Sequence, residues 1–324
     1  MPRPVVFLAL LLLALLVFLA SLRYGSLTLD WRQLWQLLWQ PDQSVLSRVV
    51  WDIRLPHALN AFCVGGLLAL AGALQQVLLR NPLADPYILG TAGGAAVAAL
   101  LAMLLGLTHT GIMAAAFGGA LLSSVLVFSL ARGLAAAERL LLTGIVLAAG
   151  WGALTALILS LSPEHNLRGM LFWLLGDLAS TRLSGLGWGV LLPALLLAGL
   201  FARHLDLLAR GELLAASLGV PVARTRLLLF VLAALLTATA VTLAGPVGFI
   251  GLVVPHLLRM VGLRLHRALL PAVVLAGGTL VMAADLLART LWAPQQLPVG
   301  VLTAFIGVPV FLLLMRRQTP PGNP

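Results

Sequence analysis

Residues 5–20, VVFLALLLLALLVFLA, form a run of sixteen consecutive apolar residues. A helix needs about 20 mostly apolar residues to cross the hydrocarbon core of a bilayer, whereas the apolar core of a secretory signal usually has only about 7–15. No polar mature domain follows this run. We therefore interpret it as the first transmembrane helix rather than as a cleaved signal.

Comparable apolar runs recur along the whole chain. The sequence is 61% hydrophobic and 9% charged, whereas soluble domains carry about 25% charged residues, so there are too few charges to cover a surface that faces water. The composition predicts an all-α membrane protein with a single transmembrane domain over residues 1–324. The ten predicted spans are residues 4–22, 53–79, 87–106, 111–131, 140–161, 186–202, 226–244, 247–261, 268–289 and 299–315.

The segment 243–259, LAGPVGFIGLVVPHLLR, holds three glycines and two prolines. Because proline removes a backbone donor and interrupts a helix, the pattern predicts a broken short helix near 245–261. Irregular backbone at membrane depth is tolerated only inside protein or beside a water-filled cavity, and transporters use broken helices at their substrate sites. Gly245 and Pro246 are therefore candidate path residues.

The segment 72–95, GALQQVLLRNPLADPYILGTAGGA, is the second irregular stretch. Its prolines predict that a helix ends near Arg80, and its later glycines predict a close approach of neighbouring helices. The segment is either a tight re-entry loop alone or one wall of a substrate path. For a path wall, the candidate residues are Gln76, Asn81, Pro82, Gly90, Gly93 and Gly94.

Two further segments are too polar to span a membrane. Residues 203–225 predict one or two short helices on the cytoplasmic side, which end near Gly219 and Pro221. Residues 162–178 predict an amphipathic helix at the outer surface.

The charges indicate how the chain is oriented. The net charge is +10, and all 20 basic residues are arginines. In a soluble protein this balance would favour nucleic-acid binding, but here the arginines lie in short segments between apolar runs. With the N-terminus inside, 13 arginines fall in cytoplasmic segments and 7 in outer segments. Cationic loops favour the cytoplasm, so both termini are predicted to be cytoplasmic.

Composition also excludes several kinds of chemistry. A chain without lysine cannot form a standard P-loop or a Schiff base. The single cysteine, Cys63, allows no internal disulfide, and the histidines form no H-E-x-x-H motif. We expect no catalytic residue and no metal site.

Charged residues near the outer ends of two spans allow two interpretations. Asp285 and Arg289 lie four residues apart, so they share a helix face. They are either a neutralising pair or an arrangement in which Arg289 projects outward. Arg54 and His57 supply a second basic point at the same level.

Several ordered motifs resemble those of the FecCD-type permease family, which imports iron-siderophores, haem and cobalamin. The resemblance covers nearly the whole chain, and cobalamin permeases are the most similar members in their compact length and in ADLLAR at 284–289. The other motifs are WDIRLP at 51–56, Q-x4-NPLADP at 76–86, GELLAASLGVP at 211–221, GPVGFIGLVVPH at 245–256 and LPVG at 297–300.

The resemblance implies the assembly of an ATP-driven importer in the bacterial inner membrane. Such a permease has ten transmembrane helices per subunit and forms a homodimer around a central path. Two ATPase subunits bind the cytoplasmic face and carry the ATP and Mg²⁺, and a periplasmic binding protein docks outside. This chain itself is expected to bind no cofactor.

The resemblance also assigns residues. Arg54 and Arg289 match family arginines that dock the binding protein, and His57 stands where a third arginine is usual. The cytoplasmic gate falls at residues 136–138, so Ala137 and Glu138 are candidate gate residues. The coupling residues, which would contact the ATPase, are Gly211, Glu212, Leu213, Ala215, Ala216, Leu218 and Gly219.

The sequence therefore favours a permease that imports a large metal chelate, first of all cobalamin, with haem or a ferric siderophore as alternatives. An ion-coupled secondary transporter is the rival class, and it would require acids or histidines at membrane depth. An intramembrane enzyme is a weaker rival because no catalytic constellation is evident.

Overall fold

The computed structural model describes residues 3–25, 27–131, 137–178, 185–293 and 295–318. Among these residues the regular structure is entirely helical, with a π-helix at Val49–Arg54, a 3₁₀-helix at Pro86–Leu89 and no β-strand. The α-helices are α1 (Arg3–Arg23), α2 (Trp31–Trp39), α3 (Val45–Arg48), α4 (Leu55–Leu78), α5 (Thr91–Leu104), α6 (His109–Leu130), α7 (Ala137–Leu161), α8 (Glu164–Leu174), α9 (Gly185–Leu200), α10 (Ala202–Leu208), α11 (Glu212–Ser217), α12 (Val222–Ala244), α13 (Ile250–Met260), α14 (His266–Thr290) and α15 (Val299–Gln318).

The predicted all-α membrane architecture is confirmed, and each of the ten predicted spans contains one helix. Within the described ranges, six helical segments are long and apolar enough to cross a bilayer, and α9 with α10 makes a seventh if this pair, bent by 66°, is one span. Three apolar segments, α5, α13 and residues Val299–Leu313 of α15, are shorter, with 10–17 residues each. The count of ten crossings therefore stays a prediction.

Helix α4 lies at the centre of the bundle. The most apolar part of its span is 94% buried, compared with 17% for α1 and 11% for α7. Its glycines bring backbones together: a Cβ on Gly65 would lie 2.1 Å from the carbonyl oxygen of Gly277, and one on Gly72 would lie 2.0 Å from that of Gly251. Close contacts of this kind replace the hydrophobic effect as the cohesive force between helices in lipid, and they fix α4 against α13 and α14.

The predicted broken helix is confirmed. Helix α12 ends at Gly245, whose φ is +65°, and α13 begins after Phe249, whose φ is +69°. A positive φ is unusual for a residue other than glycine, so the chain turns sharply at both ends of the segment 245–249. Pro255 then lies inside α13.

The polar segment 203–225 forms two short helices, α10 and α11, and residues 162–178 contain α8. Helix α2 was not predicted, because its sequence contains no long apolar run. Its nine residues, WRQLWQLLW, mix tryptophan, leucine and polar side chains.

Candidate functional site

The predicted coupling residues between Gly211 and Gly219 expose an apolar surface on and directly after α11. Leu213 is 90% exposed and Leu218 is 59% exposed, whereas Ala215 is fully buried. Ala216 lies on the exposed side. Gly211 and Gly219 bound the helix with φ values of +133° and +81°, which other residues rarely adopt. Exposed leucines in a polar loop region are typical of a surface that another protein covers.

Glu212 connects α11 to the rest of the subunit. Its Oε1 lies 2.8 Å from Nη1 of Arg226 on α12 and 3.9 Å from Nη2 of Arg80, just beyond the end of α4. The Arg226 side chain is 6% exposed, and its Nε and Nη2 have no hydrogen-bond partner among the described residues. The Glu212 carboxylate therefore supplies a charge-assisted bond to a buried cation.

Arg80 stands at the turn that follows α4. Its φ of +49° lies in the left-handed region, which is uncommon for a residue with a side chain. Through Glu212 and Arg80, α11 contacts the turn within the predicted path segment 72–95.

Gln76 lies inside the subunit, where the end of α4 meets α13. It is 4% exposed, and its Nε2 donates to the carbonyl oxygens of Gly251 and Leu252, each at 3.3 Å. Its Oε1 accepts from Nη1 of Arg259. Gln76 therefore binds the end of α4 to α13, and all of these contacts are with protein.

Asn81 and Pro82 form the turn beyond Arg80. The side chain of Asn81 accepts from the backbone N–H of Leu83 at 2.9 Å, and Pro82 is exposed. These two path candidates thus lie nearer the surface of the subunit than Gln76 does.

The three glycine candidates pack against α6 and α7. Gly90 has a φ of +68°, and its carbonyl oxygen accepts from the Ser123 hydroxyl at 2.8 Å, which in turn accepts from Nε1 of Trp151 at 2.9 Å. A Cβ on Gly93 would lie 2.6 Å from that of Trp151, and one on Gly94 would lie 2.4 Å from the carbonyl oxygen of Gly119.

The two irregular segments meet through Tyr87. Its hydroxyl accepts from the backbone N–H of Val247 at 2.9 Å and lies 3.2 Å from the carbonyl oxygen of the same residue. A Cβ on Gly245 would lie 2.4 Å from the carbonyl oxygen of Trp173. The broken helix is therefore held by α8 on one side and by the 3₁₀-helix on the other.

Pro246 and the gate candidates lie at other surfaces. Pro246 lines an apolar groove between α8 and α15, together with Leu175 and Phe305. Ala137 opens α7 half-buried against the core, and Glu138 is exposed. Ala136 lies outside the described residues.

Two of the three basic residues predicted for docking, His57 and Arg289, meet at one buried carboxylate. Asp285 is fully buried, with Oδ1 2.7 Å from Nε2 of His57 and Oδ2 3.0 Å from Nε of Arg289. Nη2 of Arg289 also donates to the hydroxyl of Ser21 at 2.7 Å. These contacts join α1, α4 and α14, and they contain the neutralising pair considered from the sequence.

Arg54 belongs to the same region but has different partners. It is 3% exposed, and its guanidinium donates to the carbonyl oxygens of Leu22 at 2.8 Å, Arg23 at 2.9 Å and Leu27. Leu22 and Arg23 are the last residues of α1, whose final carbonyls have no partner within the helix. Arg54 thus caps α1, and docking by Arg54 and Arg289 stays a prediction.

Sequence reasoning missed several residues that hold these sites together. Ser21 and Tyr87 gave no local signal, since each finds its partner on a distant part of the chain. Arg226 and Arg259 did give one, because a charge within an apolar helix requires a partner. The sequence analysis used both only to orient the spans.

Comparison with known proteins shows close relatives over nearly the full length. Residues 12–317 match the FecCD transport family. The chain is 40% identical over 318 residues to the hemin transport system permease protein HmuU of Yersinia pestis, covering 95% of this chain and 94% of that protein. It is 40% identical over 288 residues to the vitamin B12 import system permease protein BtuC of Klebsiella pneumoniae, covering 86% and 87%.

Two solved structures share the fold. The structure of a metal-chelate type ABC transporter in an inward-facing conformation has a TM-score of 0.86 and 32% sequence identity, covering 97% of this chain and 99% of that one. The PsaBC complex of Streptococcus pneumoniae with a Fab has a TM-score of 0.56 at 18% identity, covering 83% and 94%. The second likeness concerns the fold alone.

Proposed function

The chain belongs to the FecCD transport family, and from this membership we propose that it is the membrane-spanning permease that carries cobalamin from periplasm to cytoplasm in an ATP-driven importer. The family match over residues 12–317 carries the proposal. The BtuC relatives support cobalamin. Haem is the second candidate, because HmuU is equally similar over more of the chain. Both cargoes are large tetrapyrrole-type metal chelates.

We propose that two copies of the chain enclose the path. Helix α7 has 25 residues, yet its most apolar part is only 11% buried in the single subunit. The groove between α8 and α15 is also apolar, and Phe305 stands 75% exposed at its edge. A second copy would cover these surfaces in a symmetric contact. We also propose that both termini lie in the cytoplasm and that ten helices cross the membrane in each subunit.

We assign the cytoplasmic contact to α11. Its exposed leucines, Leu213 and Leu218, would fit against an ATPase subunit, which would bind the ATP and Mg²⁺. Glu212 would then pass a displacement of α11 to Arg226 on α12 and to Arg80 at the end of α4. Alternating access would follow from tilting these helices around the path.

We propose that the binding protein docks at the opposite face. Arg289 is 12% exposed and is held by Asp285, so a carboxylate of the docked protein would compete with Asp285 for it. A large chelate requires a wide path that binds it weakly, whereas Gly90, Gly93 and Gly94 are engaged in packing against α6 and α7. Covalent chemistry has no part in this mechanism.

Transport into proteoliposomes tests the proposal. The chain would be reconstituted with candidate ATPase and binding-protein subunits from the same genome, and uptake of radiolabelled cyanocobalamin and of haemin would be measured with and without ATP. We expect ATP-dependent uptake of cyanocobalamin. Uptake of haemin alone would favour the second candidate. Uptake that needs no ATP and stops when an ionophore collapses the ion gradient would identify a secondary transporter using the buried Asp285–His57 pair.

A further inference from the structure

Helix α2 presents three different surfaces around its circumference. Trp31, Trp35 and Trp39 recur every four residues and are 51%, 62% and 70% exposed. At 3.6 residues per turn they share an arc of about 80°. Leu34 and Leu37 are buried on one side of this arc. The polar residues Arg32, Gln33 and Gln36 are exposed on the other side.

The length of α1 places this tryptophan arc at a defined depth. Helix α1 has 21 residues, so it is about 30 Å long, which equals the thickness of the hydrocarbon core. Arg23 is its last residue, and the guanidinium carbon of Arg23 lies 4.6 Å from the centre of the Trp31 ring and 4.9 Å from that of Tyr24. Trp31 and Tyr24 therefore lie where the hydrocarbon ends.

Packing holds α2 in this position. Leu34 and Leu37 form a cluster with Leu22, the penultimate residue of α1, and with Val50 of the π-helix. Nε1 of Trp51 donates to the carbonyl oxygen of Leu37 at 3.0 Å. The leucine face is thus already occupied by protein, so α2 cannot rotate to bury its tryptophans within the subunit.

We propose that α2 is an interfacial helix whose tryptophan face binds the headgroup–acyl boundary of the lipid bilayer. Indole combines a large apolar surface with one N–H donor, and tryptophan is enriched at this boundary for that reason. The preceding helix α1 also exposes apolar side chains, with Leu12 and Leu16 52% and 65% exposed. In water, three adjacent exposed indoles would form an apolar patch of the kind that soluble surfaces avoid.

The anchored helix would also hold Arg54 and Arg289 at a fixed depth. Arg54 of the π-helix donates to the carbonyl oxygen of Leu22 at the end of α1. Arg289 donates to the hydroxyl of Ser21, also at the end of α1. The inference rests on the chain spanning a membrane and is independent of the cargo and of the ATPase.

Spin labelling tests it on the full chain in lipid nanodiscs of phosphatidylethanolamine and phosphatidylglycerol. The native Cys63 is 1% exposed and would be replaced by alanine. Single cysteines would then be introduced as Trp35→Cys, Gln36→Cys and Leu12→Cys, with Trp39→Cys as a second site on the same face. Each would carry a nitroxide, and its collision rates with oxygen and with a water-soluble nickel chelate would be measured by power saturation.

We expect oxygen to dominate at positions 35, 39 and 12 and the nickel chelate to dominate at position 36, because oxygen concentrates in lipid. Positions 35 and 36 are adjacent on one helix, so a difference between them reports the face and not the region.

The inference would be overturned if the labels at 35 and 39 were as accessible to nickel as the label at 36 while position 12 stayed in lipid. That result would leave the membrane placement of the chain intact. Nickel access at position 12 would instead contradict the membrane placement itself. Water-exposed labels at 35 and 39 that become immobile when the binding protein is added would assign this face to protein docking and overturn the inference as well.

Discussion

At the scale of single residues, the Glu212 carboxylate connects α11 to the bundle through Arg226. Glu212→Gln would leave the buried Arg226 guanidinium without a counter-charge, and a hydrogen bond to a charged group is worth about 1.5–3 kcal/mol. We expect ATP hydrolysis to persist while the amount of cargo moved per ATP falls. The measurement is uptake and phosphate release in the same proteoliposomes.

The matched control for Glu212 is Glu164→Gln, which removes an exposed carboxylate in the first turn of α8. This variant is expected to transport as the parent does. If Glu212→Gln moves as much cargo per ATP as the parent protein does, the carboxylate does not transmit the motion of α11. The exposed leucines of α11 would then have to act without it.

A second residue-scale prediction concerns the contact between α5 and α6. A Cβ on Gly94 would lie 2.4 Å from the carbonyl oxygen of Gly119, whereas one on Gly118 would have nothing within 4 Å. Because overpacking a helix contact costs about 1–3 kcal/mol, Gly94→Leu should lower the thermal unfolding midpoint and the yield of monodisperse protein. Gly118→Leu, on the exposed side of α6, should change neither. Equal midpoints for the two variants would show that α5 and α6 are not in backbone contact.

At the scale of elements, Arg54 is expected to secure the end of α1. Its guanidinium donates to the carbonyl oxygens of Leu22, Arg23 and Leu27, so Arg54→Gln should lower the thermal midpoint, with a loss of about 1.5–3 kcal/mol for a charged bond. Arg48→Gln, which alters an exposed arginine six residues earlier, is the control and should have little effect.

Arg289→Gln separates this structural role from docking. We expect the variant to fold, because Asp285 keeps His57 as a partner. It should bind the periplasmic partner more slowly at low salt, since steering by a partly exposed charge acts mainly on the association rate. A well-folded Arg54→Gln protein with slowed docking would instead place Arg54 in the docking surface. Docking at the parent rate by Arg289→Gln would exclude Arg289 from that surface.

Local patterns predicted the elements better than they predicted the contacts. Long apolar runs specify helices whatever their neighbours, and the glycines and prolines at 245–255 marked the broken helix correctly. Helix α2 was not predicted because polar residues interrupt its tryptophans and leucines, which leaves no long apolar run. The bond between His57 and Asp285 joins residues that are 228 positions apart, and no local periodicity encodes such a pairing. Arginines within apolar spans, such as Arg226, were a signal in the sequence that indicated an unseen partner.

At the scale of the whole molecule, the surfaces left uncovered in one subunit decide how copies assemble. Helix α1 is mostly exposed and uniformly apolar, which suits lipid. The groove between α8 and α15 is different, because a concave apolar surface is filled better by a partner's side chains than by mobile lipid tails. Pro246 of the broken helix also lines this groove, so a partner there would contact the segment most suited to change shape.

The last prediction follows from this contrast. In detergent, light scattering should give a protein mass of twice 34.1 kDa. Phe305, 75% exposed at the groove, should behave as an interface anchor, whose truncation costs about 2 kcal/mol or more. Phe305→Ala should therefore raise the dimer dissociation constant more than about tenfold. Leu12→Ala, at a lipid-facing position of α1 that is 52% exposed, should leave it unchanged. A monomeric parent protein would contradict the homodimer, and equal dissociation constants for the two variants would move the interface away from α15.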